Sequence, residues 1–268
     1  MNTQENEART SGETAGGWNA DAYGRNARFV ADMAASLIDW LDPQPGERIL
    51  DLGCGDGELT LSLTGRGAVV VAADSSPDFV AAARGRGLDA VLADGQRLGD
   101  NPRLAGPFDA VFSNAALHWM HRDPQAVIDG VFACLAPGGR FVVEFGGAGN
   151  CAPIRDALRA EAEVRGQHPD ELDPWFFPEK ETYMKQLRSA GFSIAREELF
   201  ARPTPLPGDM SDWLETLARP FVQAFAAGAP RAEYVAAVRE RLVPLMQDAD
   251  GRWTAPYVRL RFAAIKPA

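Results

Sequence analysis

Residues 49–63 read ILDLGCGDGELTLSL: an apolar run breaks at Gly53, Gly55 and Gly57, then resumes with helical spacing. A strand, a glycine turn and a helix in that order imply a parallel α/β sheet, with the turn at the carboxyl edge where ligands bind in such sheets. Glycine there permits positive φ and lets backbone approach a ligand closely, while the following helix can offer its first amides. Alone, the turn also suits a nicotinamide cofactor or a plain tight bend. The dinucleotide fingerprint is G-x-G-x-x-G, shaped around a pyrophosphate, whereas here the spacing is G-x-G-x-G. Asp51, just ahead of the glycines, repels an anion and welcomes an ammonium. A ligand with an amino group and a nucleoside but no phosphates fits better than a dinucleotide.

The rest of the chain repeats the alternation. Short apolar runs at 48–52, 68–73, 89–93, 108–113 and 140–145 read as strands separated by helical patterns, giving right-handed crossovers and helices on both faces. A helix over 28–41 precedes the first strand. Ser76-Pro77 and Asp123-Pro124 each place a capping side chain before a proline at the first helical position. Pro137-Gly138-Gly139 is expected to end the second of these helices. Beyond Gly149 come a helix at 153–165, the stretch HPDELDPWFFPEK, a helix ending near Gly191, and strands at 192–201 and 255–265. In the last of these, Val258, Leu260 and Phe262 alternate with arginines. Residues 208–251 read as two or three helices forming a cap. The organisation expected is a flexible tail at 1–17, an α/β domain at 18–207, the cap at 208–251 and a closing strand within 252–268.

Two more acids stand at strand ends. Asp74 closes VVVAAD, where a carboxylate can accept both ribose hydroxyls, and Asp94 follows the third strand, where it can accept from an adenine amino group. The formal charge of −10 disfavours nucleic acid and anionic membrane surfaces as partners. Cys54, Cys134 and Cys151 form neither a disulfide framework nor a zinc pattern, and no run of about 18 apolar residues occurs. A cytoplasmic protein, monomeric or weakly dimeric, is expected. His118, His121 and Asp123 lack a further ligand cluster and Asp123 reads as a helix cap, so no metal is expected. His118 is a candidate general base, and Arg25, Arg28 and Arg219 are candidates for gripping a substrate carboxylate. Trp175, Phe176, Phe177, Trp213 and Phe221 suit packing or a water-excluding lid.

The segments DLGCGDG, VVVAADSSP, VLADGQ, FDAVFSNAALHWM and LAPGGRFVVEF, in that order, resemble the class I S-adenosylmethionine (SAM)-dependent methyltransferases over residues 18–147. WNADAY at 18–23, SNAALHW at 113–119, SDWLETLARPFV at 211–222 and YVRLRFAAIKP at 257–267 resemble the trans-aconitate methyltransferase group. The resemblance implies a seven-stranded Rossmann-like sheet of order 3-2-1-4-5-7-6 with an antiparallel last strand, and SAM as cofactor. It assigns Asp51, Gly53 and Gly55 to the methionine part of SAM, and Asp74 with Ser75 to the ribose. Asp94 and Gln96 go to the adenine; Asn114, Leu117, His118 and Trp119 go to the sulfonium and substrate wall, and Tyr23 to an N-terminal lid. His118 departs from the glutamine often found there. The implied function is O-methylation of a small polycarboxylic acid such as trans-aconitate. The alternatives are methylation of another metabolite or natural product, SAM binding without catalysis, or a nicotinamide-dependent reductase.

Overall fold

The computed structural model describes residues 35–268. The expected tail, Tyr23, Arg25, Arg28 and positions 28–34 of the first expected helix lie outside the described residues. In chain order the elements are α1 (Ala35–Leu41), β1 (Arg48–Leu52), α2 (Glu58–Thr64), β2 (Val69–Asp74), α3 (Pro77–Gly85), β3 (Ala90–Leu92) and β4 (Phe108–Asn114). There follow α4 (Pro124–Cys134), β5 (Leu135–Gly146), α5 (Ala152–Val164), α6 (Pro169–Leu172), α7 (Lys180–Ser189) and β6 (Ser193–Pro205). The last elements are α8 (Met210–Leu217), α9 (Arg219–Gln223), α10 (Ala229–Met246) and β7 (Thr254–Ile265). The strands form one sheet ordered β3-β2-β1-β4-β5-β7-β6. Only β7 runs against its neighbours, pairing antiparallel with both β5 and β6, as expected.

Strand periodicity distributes the core. Leu50, Leu52, Val71, Val111, Phe141 and Val143 pack under α4 and α7, through Val127, Ile128, Val131, Tyr183, Met184 and Leu187. Ile49, Val70, Ala110, Phe112 and Val142 pack on the other face with Leu37, Ile38 and Leu41 of α1 and Leu63 of α2. Both faces are covered, which is why β1, β2 and β4 read as near-continuous apolar runs rather than alternating ones.

Helix α4 ends at Cys134, before the Pro137-Gly138-Gly139 expected to stop it. Leu135 already pairs with Phe108, residues 136–139 bulge out, and the ladder resumes at Arg140 opposite Ala110. Lys266 makes the earlier stop possible: its ammonium takes the carbonyls of Phe132 and Leu135, while Gly138 N–H donates to the Lys266 carbonyl at 2.9 Å. A cation on the last carbonyls of a helix is the ordinary alternative to a glycine cap. Strand β6 runs on to Pro205, beyond the expected 201, because pairing with β7 continues to Pro205 opposite Thr254.

Residues 208–251 contain three helices. Their apolar faces join those of α5 around Trp213, Leu214, Phe221, Tyr234 and Val238, and Trp253 and Tyr257 tie this cluster to β7. Asp209 anchors it: the carboxylate caps α8 through Ser211 N–H, grips Arg239 of α10 through both oxygens and accepts from the Trp253 indole. Arg239 holds this carboxyl far below the usual carboxylate range. No helix among the described residues is long and apolar enough to cross a membrane.

Asp209→Asn is expected to cost about 1 kcal/mol, since both partners remain about a third exposed and solvent screens the pair. The depressed acid stabilises the fold above its unfolded value near pH 4, so the gap to wild type should close as pH falls through and below that value. Thermal unfolding at pH 7 and below pH 4 measures both effects.

Candidate active site

The glycine turn is built by its own amides. Gly53 and Cys54 N–H both donate to the Ala73 carbonyl, at 2.8 and 3.0 Å, and Gly55 N–H donates to Asp74 Oδ2 at 3.0 Å. Gly57 N–H closes on the Cys54 carbonyl and Glu58 N–H on Asp56 Oδ1. These amides are engaged within the protein, so the turn is no cradle for a pyrophosphate, whose binding needs inward-pointing amides. Gly57, which leads into helix α2, is left-handed, with φ +85°. Gly53, at φ +77°, passes so close to the loop after β4 that a Cβ would stand 2.2 Å from Ala116 Cβ.

Asp74 fastens the turn to β2. One carboxylate oxygen accepts from Gly55 and the other from Ser76 N–H at 2.9 Å. Burial raises its pKa against the pull of these donors. Each oxygen keeps a lone pair, so the group can still accept from ribose hydroxyls. It lines a cleft of about 600 Å³ across the carboxyl ends of β1, β2, β3 and β4. Of the residues singled out in the sequence, Gly53, Gly55, Asp74, Ser75, Asp94, Gln96, Asn114, Trp119 and His121 line this cleft.

Phe79, Leu92, Ala93 and Met120 add apolar wall near Asp94. Sequence reasoning passed over these four, although Leu92 carries a signal as an apolar residue directly before the third acid. Asp94 is tied down too: Oδ1 accepts from Gln96 N–H at 2.9 Å and its side-chain amide at 3.2 Å, and Oδ2 pairs with Arg122 at 2.9 Å. Gln96 Oε1 accepts from Asp123 N–H, so the strand-three loop and the start of α4 form one framed wall.

Asp51, Leu117 and His118 are not on the cleft surface. Asp51, 2% exposed, lies under the turn and accepts from Thr60 Oγ1 at 2.6 Å. Burial, with a smaller push from the Asp74 charge, raises its pKa to about 7. His118, 7% exposed, packs against Trp119 and Phe177, and its Nδ1 accepts from Gly146 N–H at 3.4 Å. Burial, and secondarily the charge of Arg259, push its pKa well below the ordinary value. A neutral imidazole that accepts at Nδ1 carries its proton on Nε2.

Trp175 stacks on Phe177 and meets Trp119, Trp213 and Phe221, joining the cleft wall to the helices between β6 and β7. Arg219 opens α9, partly buried and off the cleft surface. Cys54 is buried and its thiol strongly raised, chiefly by desolvation, so it is no nucleophile. Among the described residues no three His, Cys, Asp or Glu side chains gather as a metal cage.

The family model for a methyltransferase domain matches residues 50–143, from β1 into β5. The chain is 37% identical over 260 residues to the uncharacterized methyltransferase C70.08c of Schizosaccharomyces pombe, covering 93% of this chain and 98% of that one. The chain belongs to the class I SAM-dependent methyltransferases. It is also 32% identical over 261 residues to a trans-aconitate 2-methyltransferase of Rhodococcus jostii, covering 91% and 97% of the two chains. Among solved structures, the magnesium protoporphyrin IX methyltransferase of Synechocystis, determined with bound SAH, shares the fold at 17% identity with a TM-score of 0.55, over 92% of this chain and 91% of that one. This methyltransferase uses SAM as its cofactor.

For a methyltransferase built on this turn, Gly53→Ala should be damaging and Gly46→Ala mild. Both positions have positive φ, but a Cβ on Gly46 meets nothing within 4 Å. Backbone strain alone is worth about 1 kcal/mol, and the clash with Ala116 should bring the Gly53 cost to about 2–4 kcal/mol. Chemical denaturation and SAM titration of the two variants test this. Equal stability would mean that the turn relaxes freely.

Proposed function

We propose that the protein methylates a carboxylate oxygen of a small polycarboxylic acid, with trans-aconitate the first compound to test. The observation that carries this reading is the setting of His118, which is buried among aromatic rings with its Nδ1 accepting from Gly146 N–H. Such a site suits an acceptor that arrives already ionised, and carboxylic acids with reference pKa values near 4 are ionised at neutral pH. The relative named for trans-aconitate in Rhodococcus jostii supports the same substrate class. SAM supplies an activated methyl group: the acceptor oxygen forms the new bond to carbon, and the C–S pair departs onto sulfur to leave a neutral thioether. No proton has to move.

The protein's task is alignment and exclusion of water. Asp74 takes the ribose and Asp94 the adenine edge beside Leu92 and Phe79, which directs the methyl end toward Asn114 at the end of β4 and Trp119 in the turn that follows it. Asp51 stays under the turn and attracts the amino group of the cofactor's methionine part through its field. The aromatic cluster around Trp175 and the helices at 208–251, read as a cap, close the acceptor side. Tyr23, Arg25 and Arg28 are proposed to complete it from the N-terminal segment.

His118→Gln should keep kcat within about fivefold on an ionised acid, with no new pH dependence between pH 6 and 8. A hundredfold loss that follows a single titration would instead make His118 a base. No methyl ester from SAM with trans-aconitate and a panel of di- and tricarboxylates would sink the substrate class.

Asp51 supplies a second test. With its pKa near 7, the carboxyl is largely protonated at pH 6, and an ammonium ligand favours the ionised form. SAM affinity should therefore rise about fivefold from pH 6 to 7, and Asp51→Asn should weaken binding and flatten that slope. Unchanged affinity and slope in calorimetry would remove Asp51 from cofactor binding.

A further inference from the structure

On β7, Tyr257, Arg259 and Arg261 alternate onto one face of the sheet, opposite Glu144 and Gly146 of β5 and Arg202, Phe200 and Glu198 of β6, where Glu198 pairs with Arg196. Glu144, 3% exposed, serves two of the arginines there: Arg202 grips it through both terminal nitrogens, and Arg261 reaches it through Nε at 2.7 Å. Arg261 also donates to Ser36 of α1.

Arg259 is different. It is 5% exposed, its guanidinium carbon lies 4.5 Å over the Tyr257 ring, and among the described residues it has neither a hydrogen-bond acceptor nor an acidic partner. Two of the three guanidinium groups thus divide one carboxylate, and Arg259 is left without it. A poorly solvated charge with no acid beside it is costly, and a ligand carboxylate would compensate it.

Its place in the sheet says which ligand. Arg259 pairs in register with Gly146, the last residue of β5, whose N–H holds His118. His118 touches Trp119, and Trp119 lines the cofactor cleft on the β4–β5 side. The Arg259 charge is felt at both His118 and Cys151. With the nucleoside over β2 and β3, the reacting methyl faces this end of the sheet.

We propose that Arg259 is the specificity-determining residue of the acceptor site, holding by paired hydrogen bonds a carboxylate other than the one that is methylated. The acceptor is then a di- or tricarboxylate, because a guanidinium clamped on the attacking oxygen would withdraw the charge that makes it a nucleophile. This rests on the acid-acceptor reading above and names the residue that selects among acids. Arg259 is off the surface lined by the glycine turn, Asp74 and Asp94, so its loss should leave SAM binding alone.

The experiment compares wild type, Arg259→Gln and Arg259→Lys as complexes with S-adenosylhomocysteine, titrating trans-aconitate and a monocarboxylate of similar carbon skeleton by calorimetry. Methyl-ester formation with SAM is measured in parallel. Arg259→Gln should weaken trans-aconitate binding about a hundredfold and leave monocarboxylate and SAM affinity within about threefold, with Arg259→Lys between the two. In acid-free buffer Arg259→Gln should melt no lower than wild type, an outcome that a purely structural arginine would not give. Arg259-dependent binding of trans-aconitate without ester formation upholds the subsite and overturns the esterification. Ester formation with equal binding by Arg259→Gln upholds the esterification and overturns the subsite, as does wild type that binds no polycarboxylate.

Discussion

The site depends on one carboxylate. Asp74 ends β2 and uses its two oxygens to hold Gly55 of the glycine turn and Ser76 at the start of α3. The glycine turn and the junction of β2 with α3, 19 positions apart at Gly55 and Asp74, are thereby joined into one edge, and the same group faces the cleft. Because the turn's amides point to the Ala73 carbonyl and to Asp74, the edge presents acceptors where a dinucleotide site presents donors. That polarity explains why a glycine-rich turn after the first strand serves a cationic sulfonium nucleoside and not a pyrophosphate. It also explains why G-x-G-x-G suffices here: without a pyrophosphate on the helix amides, there is no call for the wider fingerprint.

The sheet then separates charge by strand. Acids gather at the ends of β1, β2 and β3, while the ends of β5, β6 and β7 carry an arginine excess around Glu144. A positively charged methyl donor and an anionic acceptor would each meet the opposite sign, and their reacting ends would meet between Asn114 and Trp119. Although the chain as a whole carries −10, this inner face is basic. The aromatic bridge from Trp119 through Trp175 to Trp213 and Phe221 connects the two halves and ties them to the helices between β6 and β7.

The fold was legible because its signals are local. Capping serines and aspartates before prolines, alternating apolar runs and the glycine turn mark element after element, and the capping bonds from Phe79 to Ser76 and from Ala126 to Asp123 form as those signals imply. The end of α4 was not legible, since the lysine that caps it comes 132 positions later in the chain, at 266 against 134. The cleft acids Asp74 and Asp94 were readable as strand-end residues. The burial of Asp51, the contact of His118 with Gly146 and the isolation of Arg259 were not, because each depends on partners from other strands. The alternating arginines of the last strand were visible in the sequence, but only the register with β5 and β6 shows which of them lacks an acid.

The account's central claim is that the Asp74 edge receives the nucleoside of SAM and turns its methyl end toward β4 and β5. A crystal structure of the complex with S-adenosylhomocysteine tests it most directly. The account predicts both ribose hydroxyls on Asp74, the adenine beside Leu92 and Asp94, and the sulfur facing Asn114 and Trp119. A ribose held elsewhere, or a sulfur turned toward β3, would contradict it.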